Sequence, residues 1–295
     1  MPVQLSVSTY SLRTWRAAEH KTFQDTLDWI AAQDIRGVEF AGLDDGPVAD
    51  PLGRAQELRR HCDKLGLAVA SYCTGAELLV DGPEQSKALA HIKEAIDIAH
   101  ILGAPSMRHD VTRGPNPPDS LTLQQVLAAV TPSVRQATQY GRAKGIKTSL
   151  ENHGFYLQTA DRVEALVQAV ADSNFGITLD LGNFLCLNQD PVEAVRRLAK
   201  YAIMVHAKDF HTRPKDQLPA PGWFATPTDI ALRGAIAGQG VIDLPAQLQL
   251  LQATGYSGWI SLEFEGTEEA RQGVQLGLKF LKTHLTRLGY EAPRD

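Results

Sequence analysis

The segments SLENHG (149–154), TLDLGNF (178–184), VHAKDF (205–210) and ISLEFEG (260–266) decide how this chain folds. Each is built around a short apolar, β-type run, and each carries one hard-metal ligand at or near the end of that run: Glu151, Asp180, His206 and Glu263. A single acidic residue after a strand is common and carries little weight. Four ligands in succession, joined by helix-length gaps, place three carboxylates and one imidazole at the same end of a parallel sheet. The C-terminal ends of the strands are where a (β/α)8 barrel gathers its chemistry.

Strand alternation tests this placement. Glu151 shares parity with Ser149, Asp180 with Thr178, His206 with Met204 and Lys208, and Glu263 with Ser261. The intervening Leu150, Leu179, Val205 and Leu262 are apolar and are expected to face surrounding helices. All four polar groups can therefore point inward. Carboxylates crowded in this way resist joint ionisation unless a cation neutralises them. Oxygen-rich ligation with one imidazole favours a single divalent ion of the Mn, Mg or Co type, with Zn as the softer alternative.

Working outward, eight strands are expected: Leu5–Thr9, Gly37–Phe40, Leu67–Tyr72, Pro105–His109, Lys147–Asn152, Gly176–Asp180, Ile203–Ala207 and Trp259–Phe264. Between them the apolar residues recur at helical spacing, as in Phe23, Leu27 and Ile30, or Val163, Leu166, Val167 and Val170. Thr22, Ser120, Asp243 and Thr267 stand where helix N-caps belong, and Gly66, Gly103 and Gly145 where helices end. The expected fold is α/β, a single (β/α)8 TIM barrel spanning 1–295 as one domain, with a long loop after strand 7. That interval holds Pro214, Pro219, Pro221 and Pro227 together with Trp223 and Phe224. Its length and its exit from the ligand end suit a lid, with Trp223 or Phe224 as an apolar wall, or an oligomer contact.

Composition narrows the function. Over 295 residues, 43% are hydrophobic and the formal net charge is −5, so no general attraction to nucleic acid or an anionic membrane is expected. The N-terminus MPVQLSVSTYSL is too short and polar for a signal segment, and no apolar run reaches the length of a membrane span. Cys62, Cys73 and Cys186 lack CxxC spacing and suit reduced thiols in a cytoplasmic protein.

With GQGVID (238–243) added, the segments SLENHG, TLDLGNF, HAKDF and WISLEFEG resemble the xylose isomerase-like TIM-barrel superfamily, sugar (phosphate) isomerase/epimerase branch. That branch includes ketose 3-epimerases, inosose dehydratases and hydroxypyruvate isomerases. The resemblance implies that Glu151, Asp180, His206 and Glu263 hold the metal, and that Glu151 and Glu263 also exchange protons with the substrate. It implies a metal-dependent isomerase or epimerase acting on a sugar, keto-sugar or cyclitol through an enediolate. Alternatives are a dehydratase at the same site and a non-catalytic sugar-binding barrel. A homo-oligomer is expected. Endonuclease IV-type members use further histidines for a three-zinc cluster; this chain has Asn183 at one such position and only GQGVID at another, which argues against DNA repair.

The remaining candidates have competing roles. His153, Lys208, His109, Asn183 and Trp223 are candidates for substrate binding, with Arg108 a weaker alternative to His109. Lys208 could equally form a salt bridge with a barrel carboxylate, and His153 could be a loop histidine. Glu39 could partner a core cation or touch substrate, Tyr10 and Trp15 could wall the site or pack the rim, and Glu265 rivals Glu263 as ligand. Gly238-Gln-Gly240 is a tight turn, or a weak phosphate cradle.

Overall fold

A computed structural model describes residues 3–33, 35–217 and 221–290. Strands β1 (Gln4–Ser8), β2 (Gly37–Ala41), β3 (Ala68–Thr74), β4 (Ser106–His109), β5 (Lys147–Glu151), β6 (Phe175–Asp180) and β7 (Ala202–Ala207) run in parallel. After β7 come three short strands, β8 (Asp209–Pro214), β9 (Phe224–Ala225) and β10 (Ile230–Ala235), and then β11 (Trp259–Leu262). Strand β11 pairs with β7 on one side and β1 on the other, closing an eight-stranded barrel.

Helices alternate with the strands: α1 (Arg13–Glu19) and α2 (Phe23–Ala31) after β1, then α3 (Pro51–Leu65), α4 (Gly82–Leu102), α5 (Leu123–Ala143), α6 (Ala160–Val170), α7 (Pro191–Leu198), α8 (Leu244–Ala253) and α9 (Ala270–Arg287). The barrel is thus a (β/α)8 architecture. Among the described residues no helix is long and apolar enough to cross a membrane.

Local signals set most boundaries. Thr22 and Asp25 form a reciprocal capping box that starts α2, whose Phe23, Leu27 and Ile30 are buried. Gly66 and Gly103 end α3 and α4 in the left-handed conformation. Two expected caps are displaced by two residues. Thr122 starts α5 in place of Ser120, because Gln125 completes a capping box with it. Glu269 starts α9 in place of Thr267, because its carboxylate accepts the Gln272 N–H.

The alternating residues divide the barrel into two environments. Leu150, Leu179, Val205 and Leu262 belong to the continuous apolar core between strands and helices. Inside lie small polar side chains: Ser6, Ser71, Ser149, Thr178 and Ser261 are all fully buried. Ser149 and Thr178 hydroxyls bond to each other at 2.8 Å.

The long loop expected after β7 is present, and the chain within it is folded. It forms a three-stranded antiparallel sheet in the order β8-β10-β9, here called the flap. Phe210 of β8 and Leu232 of β10 are buried against Cys186 in a small apolar cluster of their own. The prolines sit at the sheet's ends and turns, where no ladder hydrogen bond is lost; Pro219 lies outside the described residues. Gly234 is needed on β10, since a Cβ there would stand 2.4 Å from the Glu265 carbonyl. The flap is therefore pressed against the segment that follows β11.

The base of the flap is fastened by Asp209. Its carboxylate accepts the N–H groups of Phe210 (2.8 Å), Gly238 (2.9 Å), Gly240 (2.9 Å) and Ile242 (3.1 Å). The GQG turn is thus a cradle for an internal carboxylate, and its N–H groups are already used. Asp209→Asn would turn an amide N–H toward these donors and leave part of the buried nest unpaired. It is expected to cost about 2–4 kcal/mol in urea unfolding. A loss below 1 kcal/mol would show that the flap is held by other contacts.

Candidate metal centre and its cavity

Glu151, Asp180 and His206 come from the adjacent strands β5, β6 and β7, where Asp180 and His206 are register partners. Glu263 is the residue after β11, and its N–H still bonds to the Ala207 carbonyl at 3.1 Å. One ligand atom from each of the four lies within 4.8 Å of all the others, and all four residues are buried. The arrangement follows from parity: each side chain takes the inward position at the last turn of its strand.

The surrounding groups hold each ligand in place. The Glu39 carboxylate meets His206 Nε2 at 2.9 Å and also accepts the Cys73 thiol at 3.3 Å. With Nε2–H donated to Glu39, His206 Nδ1 is left facing the cluster, 3.5 Å from Glu151 and 3.8 Å from Glu263. Arg108 Nη2 pairs with Glu151 Oε2 at 3.0 Å, while Asn183 Nδ2 donates to Glu151 Oε1 at 3.1 Å. Lys208 Nζ lies 2.5 Å from Glu263, 3.5 Å from Asp180 and 3.5 Å from Glu265. Asp180 Oδ1 accepts the N–H groups of Gly182 and Asn183.

The titration behaviour follows from these partners. Burial pushes the Glu151 carboxyl up, but Arg108 and then His206 outweigh it and hold the group well below the usual carboxylate range. Burial also opposes ionisation of Glu263, and Lys208 and His206 bring it below its ordinary value. Asp180 is pushed up to about 6, by burial first, with Glu151 and Glu263 adding repulsion that Lys208 only partly offsets. Burial depresses His206, yet the carboxylates of Glu39, Glu151 and Glu263 raise it well above the imidazole range.

The donor set fits a divalent cation. His206 Nδ1 and Asp180 Oδ2 are both buried with no hydrogen-bond partner, and both belong to the cluster. Unpaired buried polar atoms of this kind are costly unless something else satisfies them. Three carboxylates and one imidazole are a hard, oxygen-rich set. Glu265, the expected rival, pairs with Lys208 and lies outside the four-residue group.

Above the cluster is a cavity of about 450 Å³ whose lining includes Tyr10, His153, Asn183, Lys208, Phe224 and Glu265. Lys208 and Asn183 each touch a cluster carboxylate and also line the cavity, so the cluster lies beneath its floor. His153 is at the rim, half-exposed, with Nδ1 3.9 Å from Asp110.

Two expected substrate contacts fall elsewhere. His109 is fully buried on the opposite face of β4, with Nδ1 2.9 Å from the Asp110 carbonyl and its ring near Phe175. Alternation gives the inward position to its neighbour Arg108. Trp223 packs its ring against the guanidinium groups of Arg213 and Arg233 and is not in the cavity lining, where the neighbouring Phe224 stands instead. Sequence reasoning underrated Arg108, which only the observed register with Ser149 singles out as inward. It missed Phe155 and Gln158, which also line the cavity, because no periodic signal marks a loop.

The chain belongs to the family of xylose isomerase-like TIM barrels, which it matches over residues 27–284. Among characterised proteins it is 28% identical to the rhizopine catabolism protein MocC of Rhizobium meliloti, over 79% of this chain and 73% of that protein. It is 25% identical to an inosose dehydratase of Geobacillus kaustophilus, over 75% and 76% of the two chains. A xylose isomerase-like TIM-barrel protein from Mycobacterium smegmatis, solved in complex with magnesium, superposes with a TM-score of 0.70 at 18% identity, covering 97% of each chain.

Added Mg²⁺ or Mn²⁺ at a hundredfold excess over its dissociation constant is expected to stabilise the protein by about 2.7 kcal/mol. Asp180→Ala should remove that gain in a thermal-shift titration. Lys208 competes with a cation for Glu263 and Asp180, so Lys208→Met is expected to tighten metal binding by about tenfold or more. Unchanged calorimetric affinity in this variant would place the ion away from these carboxylates.

Proposed function

We propose that the protein is a divalent-metal-dependent isomerase or epimerase acting on a keto-sugar or cyclitol through an enediolate, with Glu151 and Glu263 as its acid–base pair. One observation carries this: the two glutamates reach the same point from strands separated by β6 and β7, beneath a cavity large enough for a sugar. A metal of the Mn, Mg or Co class, held by Glu151, Asp180, His206 and Glu263, would polarise a substrate carbonyl and acidify the neighbouring C–H.

The chain's own residues do the rest. Glu151 is kept ionised and oriented by Arg108 and Asn183, one on each oxygen, and takes the proton from one side. Glu263 stands on the other side; ionised beside Lys208, it relays the ammonium proton of Lys208 to the substrate there, and Lys208 is reprotonated from solvent. Return to the same carbon from the opposite face is epimerisation; return to the neighbouring carbon is isomerisation. The ammonium of Lys208 also stabilises the negative charge that develops on the substrate oxygens.

Dehydration is the alternative, favoured by the likeness to an inosose dehydratase and by the position of Lys208. An ammonium on the cavity floor can protonate a departing hydroxyl, after which elimination replaces reprotonation. The first proton transfer is common to both outcomes.

Incubation of the metal-loaded protein with a panel of ketoses and inososes in D2O, followed by metal removal and NMR, separates the two. Solvent deuterium at one carbon of an intact product supports the isomerase or epimerase, loss of water supports the dehydratase, and no change across the panel would leave a non-catalytic barrel. Glu151→Gln and Glu263→Gln are each expected to lower turnover by about 10²–10⁴-fold with metal still bound. Asp180→Asn should be partly rescued by excess Mn²⁺. Equal rescue of all three variants would reduce the glutamates to ligands alone.

A further inference from the structure

Phe155 combines two unfavourable features. The residue is 47% exposed, and its backbone lies at φ +68°, a region that a bulky L residue rarely occupies. The conformation is imposed from below. The Phe155 N–H donates to Gln158 Oε1 at 2.6 Å, and the buried Gln158 amide in turn donates to the Asn183 carbonyl. The Asn183 side chain holds Glu151. The exposed residue is therefore tied to the strand end that carries the proposed base.

Phe224, from β9 of the flap, is the other exposed aromatic at this opening. It is 38% exposed and packs edge-on against Phe210, with ring centroids 6.1 Å apart. Phe155 and Phe224 line the same cavity, one from the segment after β5 and one from the flap.

We propose that Phe155 and Phe224 are the specificity walls for a substrate in ring form, a cyclitol or a pyranoside, whose C–H face they cover; this rests on the function proposed above. A six-membered ring with equatorial hydroxyls presents axial C–H bonds on its faces and oxygens around its edge. Aromatic planes suit the faces, while His153, Asn183, Lys208 and Glu265 supply donors and acceptors for the edge. An open-chain polyol carries hydroxyls on all sides and offers no continuous apolar face. The turn best shaped to cradle a phosphate, Gly238-Gln-Gly240, has its N–H groups committed to Asp209. Arg13, stacked on Tyr10 at 4.0 Å, is the rim cation that a phosphate would find, so a phosphorylated chain belongs in the test.

Saturation-transfer NMR titrations of the Mg²⁺-loaded protein with myo-inositol, glucitol and glucitol 6-phosphate read this directly. The cyclic polyol is expected to bind about tenfold more tightly than either chain, with saturation strongest at its axial protons. Phe155→Gly is the decisive variant, because glycine adopts positive φ freely. Its Tm should equal or exceed that of the parent and its Mg²⁺ affinity should be unchanged, while myo-inositol binding falls about tenfold. Phe224→Ala should show the same loss of ring binding without a gain in Tm. No detectable ring binding, tighter binding of either chain, or unchanged ring affinity in both variants would overturn the proposal. Deuterium exchange into open-chain ketoses alone would also overturn it while leaving the enzymatic function standing. Ring binding that depends on Phe155, with no exchange on any keto compound, would sustain the ring site and end the enzymatic function.

Discussion

The rest of the structure depends on bringing three carboxylates and an imidazole within 4.8 Å of one another in a buried site. Two like charges 4 Å apart repel by about 4 kcal/mol at an effective dielectric of 20. The chain sets its own cations around the cluster. Arg108 takes Glu151, Lys208 takes Glu263 and Asp180, and His206 faces both glutamates. Asp180 is left the least well compensated, and accordingly its carboxyl sits highest. A divalent ion held by the four residues would offset what these partners leave over, and Asp180 Oδ2 and His206 Nδ1 are the two buried atoms of the cluster without a hydrogen-bond partner.

Such a centre needs space, and the barrel interior provides it. Serine and threonine replace the bulky branched residues that usually fill a TIM-barrel interior. The cohesion lost there comes from the outer layer, where Leu150, Leu179, Val205 and Leu262 join one apolar core with the helices. Stability and chemistry thus lie on opposite faces of the same strands. That separation is why alternation could be read so directly: residues of one parity had to be apolar, and those of the other were free to be ligands.

Alternation reached as far as regular strands reached. Each barrel strand lies within a residue or two of its expected position at its N-terminal end, since β-rich runs bounded by helix caps leave little freedom. At β4 both Arg108 and His109 were plausible, and only the register Arg108↔Ser149 tells that Arg108 is the inward one. The flap was illegible because prolines mask its short alternating runs, and its pairing of β8 with β10 spans a long gap. Phe155 had no signal at all. Its importance arises from a backbone conformation, and the sequence HGFYLQ does not state which residue after Gly154 turns left-handed.

The flap then determines what kind of opening the cavity has. A flexible loop would select substrate by closing over it, at an entropic cost for each binding event. This segment is instead an antiparallel sheet with an apolar cluster of its own, fastened at its base by the four N–H groups on Asp209 and pressed against Glu265 through Gly234. Phe224 is held by its pairing with β10 and its edge-on contact with Phe210. Across the opening, Phe155 is fixed by Gln158, which bonds Asn183 and so reaches Glu151. The Phe155 backbone is thus anchored through Gln158 and Asn183 to Glu151, and Phe224 through β10 and Phe210. Under the proposed function, the backbone that presents Phe155 at the mouth and the amide that orients Glu151 at the floor would be coupled through Gln158.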